Sequence, residues 1–345
     1  MGQRHNTSGG FRITVLAAAL LGATMAPSAL AAGPSAPAFH PENEVYPQCA
    51  AARQGMDLIM NGDPDRAIEV SKQIQHGDPN SPLGYLVAAD AMWWKIYLTT
   101  SDLVDPDVFD VVYSKSSPYD AHFEDLVNTA LRKALDQVHA GRDVARNRLY
   151  EGIAYALRAR WDGLRDNDLP TARAAKKMRA LLLAASQADP GLVDADAGLG
   201  LYNYFVDTLP TIVKMLRFFI GLPGGNRALG LQQLQHAAES GDLVRAEAKF
   251  YLAKDFSRAS EQQYARSLQL FQELAKEYPR NLLWKLLVGS LEARLGRGQD
   301  GEAMYGEVLA QSARGDSEIQ QAIHHEAGKA LKRLHSEQKT AAFQK

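Results

Sequence analysis

From about residue 48 to residue 336 the chain keeps to one pattern: long Ala- and Leu-rich stretches, apolar at helical spacing, divided by short breaks of Gly, Pro and Asp. Alternation of the kind that builds sheets is scarce. This predicts an all-α chain with helices at about 48–61, 63–76, 81–99, 119–139, 142–163, 168–188, 191–208, 210–220, 224–240, 242–257, 261–277, 281–296, 299–313 and 316–336. A helix with one apolar face must bury it on a neighbour, so a row of such helices joined by short breaks stacks in pairs.

The breaks have physical causes. Asp63-Pro64 places a capping side chain ahead of a proline at the first helical position. Asp78-Pro79, Asp189-Pro190 and Tyr278-Pro279 each end a helix, because the residue before proline avoids the helical region. Ser117-Pro118 sets the start of the helix that follows it. The last residues, 337–345, are polar and are expected to fray into a flexible tail.

Successive pairs also show a period. Gly55 and Leu58 lie on a first helix, Ala67 and Ile74 on a second, and Pro79 closes the unit 24 residues after Gly55. Near the C-terminus Tyr251 and Lys254 precede Ser267, Phe271, Leu274 and Pro279, and then come Lys285, Val288, Gly289, Ala303 and Val308. A third unit runs through Gly152, Tyr155, Met178, Leu182, Ala185 and Pro190, 14 residues longer than the first. Small residues where two helices cross and a proline between units resemble the tetratricopeptide repeat, whose period is about 34 residues. The resemblance implies an α-α superhelix, a tetratricopeptide-like solenoid of about 13–14 helices over 48–336. Its first helices would line a concave face open to partners.

Residues 198–235 depart from a plain repeat. Tyr202, Tyr204 and Phe205 cluster ahead of Leu209-Pro210, an apolar stretch follows at 211–220, and then a Gly-rich turn with Arg227. Gly200, Phe205, Leu209 and Pro210, followed by Gly225, Arg227, Gly230, Leu231 and Leu234, resemble two segments of the tetratricopeptide-39-type family of eukaryotes. The likeness covers about 40 residues, with the first segment loosely spaced. It implies a helical superhelix without known catalysis. The chain also resembles exported bacterial tetratricopeptide repeat proteins. Residues 210–220 read either as an extra core helix or as an exposed apolar helix for a partner or a membrane surface.

The N-terminus carries a signal-peptide pattern. Arg4 and Arg12 flank a short start, Ile13 to Leu21 is apolar, and Ala29-Leu30-Ala31 is a cleavage-type site, with the cut placed after Ala31. A Pro-rich linker, 32–47, follows. Losing residues 1–31 removes two cations and no acid, which leaves a net charge of -4. That small charge offers no case for nucleic acid. A periplasmic or secreted chain is expected. Cys49 is the lone cysteine, so no internal disulfide forms.

Chemistry-bearing motifs are weak. Gly221, Gly224, Gly225 and Gly230 lack the Gly-Lys-Ser/Thr of a phosphate loop. His324 and His325 are adjacent, whereas a helical metal pair needs a spacing of about four. No metal, cofactor or catalytic residue is expected. Four residues stand out as candidates for holding a partner. Trp93 and Tyr97 share a helix face, which turns Trp94 elsewhere, into the groove, where it would serve as an anchor. Asn203 and Asp207 are four apart and could bind a peptide or a ligand, or cap the segment at Arg227. The sequence therefore predicts a non-enzymatic exported scaffold that binds a protein or peptide partner on the concave face. The alternatives are a small-molecule or lipid binder using 198–235, or an enzyme on a helical scaffold.

Overall fold

The computed structural model describes residues 47–105, 116–209 and 221–343. Among them are thirteen helices and no strand: α1 (Pro47–Met60), α2 (Pro64–Gly77), α3 (Leu83–Thr100), α4 (Asp120–His139), α5 (Val144–Leu164), α6 (Asp168–Ala188), α7 (Ala195–Thr208), α8 (Arg227–Ser240), α9 (Arg245–Phe256), α10 (Tyr264–Glu277), α11 (Leu282–Arg294), α12 (Gly298–Ser312) and α13 (Glu318–Phe343). The all-α superhelical expectation holds. The signal peptide, most of the linker and the stretch 210–220 lie outside the described residues. The C-terminal helix continues to Phe343, beyond the predicted end at 336, through a run of helix-compatible residues.

Each helix packs on the next, and the odd-numbered helices form an inner layer, with α1 on α3, α3 on α5, α5 on α7, α7 on α9 and α11 on α13. The small residues of the repeat pattern sit at these crossings. A Cβ on Gly55 would come within 2.6 Å of Val87, and one on Gly152 within 2.5 Å of Leu182. Ser267 donates from its hydroxyl to the Ala253 carbonyl at 2.6 Å, fixing α10 on α9.

The breaks perform as their chemistry requires. The Asp63 carboxylate accepts the Arg66 N–H at 3.3 Å ahead of Pro64. Asn226 and Asn281 cap α8 and α11 in the same way. Asp194, just before α7, accepts the backbone N–H groups of Asp242, Leu243 and Val244, so one buried carboxylate holds the turn between α8 and α9.

The superhelix closes on itself. Helix α13 packs on α3, and α1 packs on α9. At the seam the Met60 carbonyl accepts two hydrogen bonds, from Asn281 Nδ2 at 2.8 Å and from Trp284 Nε1 at 3.0 Å. The Tyr278 hydroxyl donates to Asp57 at 2.9 Å, and the Arg280 N–H to Asn61 at 3.1 Å. Gly62 at φ +81 allows the α1–α2 turn to lie against Asn281. Inner helices α3, α9 and α11 are consequently buried on nearly every side. This corrects the expectation of an open concave groove.

Candidate functional site

The closed interior has two parts, one aromatic and one charged. Trp94 is the hub of the aromatic part, with its ring centroid 5.1 Å from Phe250 and 6.1 Å from Trp284. Trp93 stacks on Tyr97 at 5.1 Å, as their spacing predicts. Trp94 does turn toward the concavity, but its own chain fills that space and leaves it 1% exposed. It packs in the core and offers no free anchor.

The charged part joins three helices. Arg160 on α5 donates Nη2 to Asp90 on α3 at 3.0 Å and Nη1 to the Tyr251 hydroxyl on α9 at 3.0 Å. The same Nη1 also binds Glu247, one turn before Tyr251. The guanidinium lies 4.4 Å over the Trp93 ring. Both carboxylates are buried. One cation faces two acids, so the cluster is neutral when one acid carries a proton. Burial, reinforced by the negative charge of Glu247, pushes the Asp90 carboxyl up to about 8 against the pull of Arg160. Burial works against the Arg160 charge, but Glu247, Tyr251 and Asp90 outweigh it and hold the guanidinium protonated. Asp90 Oδ2 makes no hydrogen bond among the described residues, so it is a buried acceptor left unsatisfied when the carboxyl is charged.

Glu247 also lines a cleft of about 120 Å³ between α1 and α9, with Arg53, Asp57, Asp242, Arg245 and Tyr278 around it. Arg53 pairs with Asp242 at 2.6 Å, and Arg245 pairs with Glu277. This space has room for a few water molecules and is well below the roughly 300–1,000 Å³ usual for an organic ligand. Among the described residues no His, Cys, Asp and Glu side chains gather as a metal ion requires, and no helix is long and apolar enough to cross a membrane.

The other predicted residues meet at the α7–α8 hairpin. Asn203 donates to Gln233 at 2.7 Å and is buried. Asp207 accepts the backbone N–H of Arg227 at 2.9 Å, which is the cap that its spacing allowed. The Arg227 guanidinium grips Glu261, whose side chain is fully covered and also accepts from Tyr204 at 3.1 Å. Burial raises the Glu261 carboxyl, but the bonds from Arg227 and Tyr204 outweigh it and hold it below the ordinary carboxylate range. Arg227 is 46% exposed. The structure thus joins Asn203, Asp207 and Arg227 in one hairpin and keeps Trp94 apart from them.

Glycines make this hairpin. A Cβ on Gly230 would lie 2.6 Å from the Tyr204 nitrogen, and one on Gly200 would lie 2.8 Å from the Gly230 carbonyl oxygen. On Gly225 it would meet the Asn203 carbonyl oxygen at 2.4 Å. The Gly200, Gly225 and Gly230 pattern is therefore a close backbone crossing. Sequence reasoning missed Asp90, Arg160 and Glu247. One signal was present: Asp90 is the only charge between Leu83 and Trp94, in a helix apolar all round. No family model matches the chain, and no curated protein matches it.

Proposed function

We propose that this chain is an exported, non-enzymatic scaffold that holds a protein or peptide partner, and that the partner docks on the outer surface of the closed superhelix. The observation behind this reading is the filled interior. Trp94, Phe250 and Trp284 occupy the space a peptide would need, and the central charges are committed to one another. Recognition is then left to the outside of a rigid body. The start of α8 is the favoured place, because half-exposed Arg227 stands two residues before Leu229, which is 42% exposed. Arginine beside an apolar side chain suits a protein contact.

The test is site-specific photo-crosslinking in the native host. A crosslinker at Leu229 is expected to trap a reproducible protein partner, and Arg227→Ala to reduce the yield. A crosslinker at Met56, on the cleft, should trap none. A small molecule co-purifying with the chain, with no crosslinked protein from Leu229, would sink the scaffold reading.

A further inference from the structure

We propose that the outer face of α6 docks onto an anionic phospholipid membrane. Helix α6 buries Ala174, Met178, Leu182 and Ala185, a stripe at spacings of three and four, against its neighbours. The opposite side carries Leu169, Arg173, Lys176, Lys177 and Ala180, all exposed. At 100° per residue these five fall within about 100° of arc. No acidic residue occurs from Leu169 to Ala188, and the three cations of the face, Arg173, Lys176 and Lys177, lie within about 6 Å along the helix.

The other outer helices differ. Exposed Asp65, Arg66, Glu69 and Lys72 alternate in sign on α2, and Glu124, Asp125, Arg132 and Asp136 do so on α4. Helix α12 is acidic, with Asp300, Glu302 and Glu307. A cationic face on a chain of negative net charge thus distinguishes α6 from α2, α4 and α12. Glu151 on α5 faces both Lys177 and Arg148, and Asp168 opens α6 one residue before Leu169. Lys177 also donates to the Tyr155 hydroxyl at 3.2 Å, which holds its ammonium group along the face.

The form of the face selects the occupant. A protein contact centres on apolar anchors with few charges among them. The middle of this face is three cations with small residues between them, and its one large apolar side chain, Leu169, stands at the end. A plane of anionic headgroups asks only for the sign, and each Lys or Arg at such a surface is worth about five-fold in affinity. Leu169, 44% exposed, would rest at the headgroup boundary.

The experiment is vesicle co-sedimentation of the chain from Ala32 onward, which contains the whole compact unit Tyr46–Lys345. Phosphatidylglycerol/phosphatidylcholine vesicles and pure phosphatidylcholine vesicles are compared at low ionic strength. The expected result is binding to the anionic vesicles alone, weakened by salt and reduced about a hundred-fold in R173Q/K176Q/K177Q. The control R66Q/K72Q on α2 should bind as the parent does, and all three should melt alike. Equal binding to neutral vesicles, no binding to anionic ones, or full binding by the triple variant overturns the proposal. Binding of poly-glutamate without vesicle binding, lost in the triple variant, would overturn it too and assign the face to an acidic protein.

Discussion

The charged cluster beneath α3, α5 and α9 and the crossing of α7 with α8 both pin helices of the inner layer, but by opposite means. The cluster gathers Asp90, Arg160 and Glu247 from points 70 and 87 residues apart and works through charge in a dry interior. The crossing uses neighbours in the chain and works through the absence of side chains, with Gly200 and Gly230 backbone to backbone. The first can be rebuilt in other chemistry that fills the same volume. The second cannot, because no residue is smaller than glycine.

The sharpest way to break that comparison is Gly230→Leu. The new Cβ would stand 2.6 Å from the Tyr204 nitrogen and 2.7 Å from the Gly200 carbonyl oxygen, both backbone atoms that cannot rotate away. We expect a loss above about 4 kcal/mol, read as the disappearance of a cooperative thermal transition by circular dichroism. A melting curve like that of the parent would mean that the two helices part without cost.

Arg160→Met comes next. It leaves Glu247 buried without its cation, and breaking a buried pair costs about 3–5 kcal/mol. The triple change Asp90→Leu, Arg160→Met and Glu247→Leu removes all the charge together and should recover most of that loss in urea melts. If the triple variant is no better than the single one, the cluster shapes the crossing beyond balancing its own charge.

The same contrast explains what could be read before the fold was seen. Helix spans, prolines at unit ends and the glycines of 198–235 are local signals, and helix–helix crossings between chain neighbours follow from them. A bond from Asp207 to the helix start at Arg227, 20 residues on, was one of three readings the sequence left open. Closure of the superhelix was not. It depends on Met60 meeting Asn281 and Trp284, more than 200 residues away, through ordinary backbone and side-chain groups that carry no pattern. Trp94 shows the consequence: its direction followed from helix geometry, while its burial followed from closure.

Acidity separates the two regions further. The Asp90 carboxyl rises from 3.8 to about 8 on folding, so between those values the folded chain holds a proton that the unfolded chain has released. Its contribution is full below about pH 4 and is lost as pH rises to about 8, by up to about 1.4 kcal/mol for each unit. Asp90→Asn removes that proton and should flatten the curve of unfolding free energy over this range. Parallel curves for parent and variant would assign the proton elsewhere. The Gly230 crossing adds no such dependence of its own, since the atoms that meet there are backbone atoms.

The smallest expected effect tests whether the hairpin's polar residues hold the fold or a partner. Asp207→Ala removes the acceptor for the Arg227 N–H and should cost about 1 kcal/mol, as losing an N-terminal cap does. Arg227 keeps its grip on Glu261 in that variant, because the guanidinium bonds are separate from the backbone one. Stability should therefore fall slightly while crosslinking from Leu229 stays intact. Arg227→Lys has the complementary effect: the backbone cap remains, but the two-pronged contact with Glu261 becomes a point charge. If the Asp207 change abolishes crosslinking while leaving the melting curve untouched, that carboxylate faces the partner and the helix start is held without it.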